Sequence, residues 1–107
     1  MVTRIVIVEF HPGVTPQEIT DFAMALRVLA ARTPNLVRMA CGEHHTMPSE
    51  SALGTDAPAA TFGNFVSVWE FEDEQALDGF LQQAIHGEMV RQRFQRVVRK
   101  RYIANFH

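Results

Sequence analysis

The chain has 107 residues, 47% of them hydrophobic and 21% charged, with a formal net charge of -2. That suffices for one domain over residues 1–107 and argues against a second core, or against wholesale coating by nucleic acid or anionic membrane. Cys41 is the only cysteine, which excludes an internal disulfide.

The first strand is predicted over residues 2–10, VTRIVIVEF, a β-branched run stopped by the turn signal His11-Pro12-Gly13. Both of its alternating sets are apolar: Val6, Val8 and Phe10 on one face, Ile5 and Ile7 on the other. A strand of that kind is covered on both sides. Thr15-Pro16-Gln17-Glu18 then reads as a capping box with proline in the first helical turn. Ile19, Phe22, Ala23, Leu26 and Ala30 follow at helical spacing, and the helix is expected to end near Arg32, ahead of Pro34.

Residues 35–45 read as a second strand interrupted by Arg38 and Gly42, and residues 46–63 as a long loop. Residues 64–71, NFVSVWEF, are the third strand. Glu72-Asp73-Glu74 places acid at the start of a second helix, where the dipole favours it, and Ala76, Leu77, Phe80 and Leu81 supply its apolar side. A break near Gly87 precedes a further helical segment through Val98, and residues 99–106 close the chain as a fourth strand.

The order βαββαβ implies an α+β, ferredoxin-like fold with a four-stranded antiparallel sheet whose second and fourth strands lie at the edges. Arg99, Lys100 and Arg101 then sit on an edge, where charge discourages stray pairing. They belong to a cluster with Arg91, Arg93 and Arg96, and no acidic residue occurs after Glu88. This cluster is expected to be a solvated face matched to Glu70, Glu72 and Glu74. No segment approaches the ~18 apolar residues of a membrane span, so a soluble, cytoplasmic protein is expected.

Two helices cover one face of such a sheet. Val6, Val8 and Phe10 together with Phe65, Trp69 and Phe71 are taken as the face left open, too apolar a patch for a monomer. A two-fold homodimer that buries it is the expected answer.

These residues resemble the stress-responsive A/B barrel family, the Dabb domains of the dimeric α/β-barrel superfamily. The likeness runs through Ile5-Val6-Ile7-Val8-Glu9-Phe10-His11-Pro12-Gly13, residues 34–42, Phe71-Glu72-Asp73-Glu74-Gln75-Ala76-Leu77 with Phe80, Ala84-Ile85-His86, and Tyr102-Ile103 with Phe106. The resemblance implies two sheets facing each other as a dimeric α/β barrel, with the 46–63 loop outside the likeness. It leaves the specific activity unassigned, because most members have none assigned.

The family includes plant polyketide cyclases, and through that likeness His86 aligns with their general base. Arg4 stands where they have a second histidine, and Phe80 where they have a tyrosine. An imidazole can abstract an acidic proton near neutrality. Arg4, on the strand face of Val6 and Val8, is the candidate to stabilise the resulting negative charge. The resemblance therefore carries two readings. One is a binder of a small apolar or aromatic ligand in the barrel, against Val6, Val8, Trp69 and Phe80. The other is a cyclase-like, lyase or isomerase enzyme with His86 as base.

No cofactor or metal is expected. His44 and His45 point to opposite faces of a strand, and Glu43 with His45 makes only two ligands. Cys41 reads as a buried small side chain. The βαββαβ order is shared with RNA-recognition motifs, and Phe62-Gly63-Asn64-Phe65-Val66 is similar to their third strand. The leading basic residue is missing, however, and the first strand lacks a mid-strand aromatic. RNA binding is the weakest of the readings.

Overall fold

Strict alternation along the two central strands sets the architecture. In β1 (Val2–Phe10) every even-numbered residue is buried and every odd one is partly exposed, and β3 (Phe65–Phe71) alternates the same way. The computed structural model describes residues 1–45 and 64–107, without the side chains of residues 84–86, 88–90 and 93. The loop expected over 46–63 therefore lies outside the described residues.

The elements run β1, α1 (Pro16–Ala31), β2 (Leu36–Glu43), β3, α2 (Glu74–His86), α3 (Glu88–Val97) and β4 (Val98–Phe106). The sheet order is β2-β3-β1-β4, antiparallel at each junction. This is the ferredoxin-like split βαβ arrangement, with β2 and β4 at the edges.

Local chemistry starts and stops each element. Gly13 turns the chain at φ 87°, a conformation glycine adopts freely. Thr15 then caps α1: its hydroxyl accepts from the Glu18 amide while the Glu18 carboxylate accepts from the Thr15 amide, each at 3.2 Å. Asp73 caps α2 by accepting from the Ala76 amide at 2.8 Å. Gly87 separates α2 from α3, which starts without a side-chain cap. Asn64 ties three strands together. Its carboxamide accepts from the Phe10 amide, its own amide donates to the Val8 carbonyl, and its carbonyl accepts from the His44 amide.

The helices cover the face that carries Val2, Val6, Val8 and Phe10 from β1 with Phe65, Trp69 and Phe71 from β3. Phe22 of α1 is the keystone. Its ring meets Phe10 at 5.5 Å, Phe65 at 5.3 Å and Phe94 of α3 at 5.1 Å between centroids. Phe80 of α2 lies 4.9 Å from Trp69 and 5.4 Å from Phe71. Each buried ring contributes on the order of 2 kcal/mol, and its edge or tilted contacts add to that.

This reverses one expectation. Val6, Val8, Phe10 and the β3 aromatics are the covered face, because the helices supply the matching aromatics Phe22, Phe80 and Phe94. The open face is the odd set. Strand pairing lines up Ala40, Val68, Ile5 and Ala104 in one row across the four strands, and Gly42, Val66, Ile7 and Tyr102 in the next. Arg38 and Glu70, 3.5 Å apart, edge this apolar field at one end, and Glu9 pairs Lys100 at the other.

Candidate functional site

A cavity of about 580 Å³ lies between the covered face of the sheet and the helices. Its size falls within the range of small-molecule sites. Arg4, Val6 and Val8 of β1 with Ser67 and Trp69 of β3 form the floor. Phe22, Leu26 and Leu29 of α1, Phe80 and Leu81 of α2, and Phe94 and Gln95 of α3 form the roof. Arg91 and the run Val98, Arg99, Lys100 and Arg101 complete the lining.

Arg4, Val6, Val8, Trp69 and Phe80, singled out in the sequence, thus meet around one space. That space is on the helix side of the sheet within one chain, not between two facing sheets as the barrel expectation had it. The reason is the face reversal: the residues named for the barrel interior are those the helices roof. His86 is the last residue of α2, and its side chain lies outside the described residues.

Arg4 is the unusual member. It is only 7% exposed, yet it is a cation. Its Nη1 donates to the Asn105 Oδ1 on β4 at 3.1 Å, and no carboxylate pairs with it among the described residues. A guanidinium has five N–H donors. Among the described residues no sealed-off side-chain nitrogen or oxygen lacks a partner, and Arg4 itself lines the cavity. Burial, and then the charge of Arg101, lower its pKa. Even so, an arginine stays protonated at neutral pH.

Arg101 reaches the same space because it pairs with Val8, a covered-face residue. A bulge makes room for the run beside it: Glu9 pairs Lys100 and Phe10 pairs Val98, leaving Arg99 as the extra residue. Such bulges re-aim side chains near functional sites. The Lys100 ammonium sits 5.0 Å over the Tyr102 ring, which belongs to the open face. Among the described residues no ion pair joins this basic cluster to Glu70, Glu72 or Glu74. Glu70 pairs Arg38, Glu74 pairs His107 at 2.8 Å, and Arg91, Arg99 and Arg101 border the cavity instead.

Ser67 was not singled out in the sequence. It is 3% exposed, and its Oγ accepts from the Trp69 indole Nε1 at 2.9 Å. The signal was present: one hydroxyl in a row otherwise made of Phe65, Trp69 and Phe71. Cys41 pairs Ser67 from β2 and is half-buried rather than fully buried. Among the described residues, no group of three His, Cys, Asp or Glu could hold a metal ion.

The family model of the stress-responsive A/B barrel domain, Dabb, matches residues 2–107. The chain belongs to this family. No curated protein matches the sequence. The Dabb chain is similar in fold to a protein of Arabidopsis thaliana, at 14% identity and a TM-score of 0.80, over 100% of this chain and 94% of the other. It is also similar to a dimeric ferredoxin-like protein of unknown function from Thermobifida fusca, at 20% identity and 0.72, over 98% and 88%. A third similar structure is the hydroxynitrile lyase of Passiflora edulis, at 14% identity and 0.77, over 98% and 90%. At these identities the likeness speaks for the fold, and the cavity chemistry rests on the residues of this chain.

Proposed function

We propose that this Dabb protein works as a homodimer and binds a small molecule with an apolar or aromatic body in the cavity between its sheet and helices. The cavity carries the reading. Its volume suits a two- or three-ring molecule, and Val6, Val8, Leu26, Trp69 and Phe80 offer such a body an apolar enclosure. The homodimer reading is supported by the open face. Two rows of apolar residues rimmed by charge make a self-complementary patch, and the Thermobifida fusca relative is described as dimeric.

Titration with 2-naphthol, an uncharged two-ring probe, tests the cavity. Trp69 is the only tryptophan, so its emission should change saturably, with one site per chain. Leu26→Phe should fill much of the space and weaken the response in a folded variant that keeps Trp69 as its sole tryptophan. An unresponsive Trp69 in the parent protein would sink the reading.

A second reading is favoured by the buried cation of Arg4, placed where developing negative charge could be stabilised. In that reading His86 removes an acidic proton from a cavity-bound carbonyl compound and Arg4 stabilises the enolate. It would appear as exchange of the benzylic protons of phenylacetone with D2O, followed by NMR and lost in His86→Ala. Equal exchange in variant and parent would end it.

A further inference from the structure

Resting on the binding reading above, we infer that the ligand of this cavity is an organic anion, a carboxylate or a similar oxyanion on an apolar body, whose charged end sits against Arg4 and Arg101. Three observations converge on this. Arg4 is nine-tenths buried and has no carboxylate partner among the described residues. Its one hydrogen bond among the described residues, to Asn105, leaves further N–H donors on a side chain that lines the cavity. No described lining residue carries negative charge, while Arg91, Arg99 and Arg101 border the same space.

The physical case is one of compensation. A buried cation lacking a counter-charge is held in an unfavourable setting, made worse by a second cation close enough to be felt. An entering anion relieves both costs. Guanidinium matches carboxylate in planar geometry with two parallel N–H···O bonds, so Arg4 favours a flat oxyanion over a point-like one. The hydrogen bond to Asn105 holds the guanidinium and reduces the ordering cost of binding. Arg91 and Arg99 are exposed and add attraction during approach more than final affinity. The apolar enclosure of Trp69, Phe80 and Leu26 supplies the remainder and disfavours a bare inorganic ion.

A pair of probes of nearly equal shape separates charge from bulk: 2-naphthoate and the neutral 2-naphthamide, compared by isothermal titration at 0.15 M salt. The carboxylate should bind about tenfold tighter, the ratio that a desolvated charge-assisted contact supports. Arg4→Met should bring the two probes to within about twofold of each other, and Arg101→Met should lower the preference in part. Arg101 is exposed, so that variant keeps the test open should Arg4→Met fail to fold. Equal binding of both probes to the parent protein would overturn the inference and leave the cavity reading standing. Binding of neither probe would overturn the cavity reading itself. A carboxylate preference that survives both substitutions would assign the anion to surface charge and overturn the roles given to Arg4 and Arg101.

Discussion

Arg4 shows how a single residue can work against the stability of its own fold. Its side chain is buried on the covered face and donates to Asn105, while the charge of Arg101 opposes its own. Replacing a poorly compensated buried ion by an apolar residue of similar reach is often neutral or stabilising, by about 1 kcal/mol or more. Arg4→Met is therefore expected to melt at or above the parent temperature. The sign of the pH dependence follows from the lowered pKa of a basic group. The folded state holds the proton less tightly than the unfolded chain, so the charge costs stability at every pH below the folded value. That cost fades only as pH rises through the folded value, in the alkaline range. The gain in Arg4→Met should thus be equal at pH 5 and pH 8 by thermal unfolding, and a markedly lower melting temperature at either would contradict the account. Arg4, Val6, Val8, Trp69 and Phe80 were legible in the sequence, because strand alternation and the family likeness placed them together. Ser67 and the cavity role of Arg101 were not. They depend on which β4 residue pairs with which β1 residue, and a bulge at Glu9 and Phe10 sets that register.

At the scale of elements, the caps and the aromatic cluster hold the fold by different amounts. The Thr15 box lies at an exposed helix end, so Thr15→Ala should cost about 1 kcal/mol in denaturant unfolding. Phe22 joins β1, β3, α1 and α3 through three ring contacts, and Phe22→Ala should cost about 3–5 kcal/mol. If the two losses were equal, the packing account of the roof would be wrong. Element order and sheet order were readable from hydrophobic period, Pro16, Gly13 and the acidic start at Asp73. The face assignment was not. Both residue sets of β1 are apolar, so alternation alone cannot say which one the helices cover. The decisive fact is three-dimensional: Phe22, Phe80 and Phe94 project onto the Phe65, Trp69 and Phe71 row.

For the whole molecule, the proposed function gives the two sides of one sheet separate tasks: a partner copy on the Ile5, Ile7, Val66 and Val68 side, and a ligand on the Arg4, Ser67 and Trp69 side. Ile7→Glu puts a charge in the middle of the apolar field, and should turn a dimer into a monomer in equilibrium sedimentation at micromolar concentration. A parent protein that sediments as a monomer, or a variant that remains dimeric, would refute the homodimer proposal. The most direct test of this division of faces is a two-dimensional 15N NMR titration of the protein with 2-naphthoate. The account predicts a saturable shift of the Trp69 indole N–H, which donates to Ser67, with the amides of Arg4, Val6 and Ser67 moving most in β1 and β3. Shifts centred on Ile5, Ile7, Val66 and Val68, with the Trp69 indole unmoved, would contradict it.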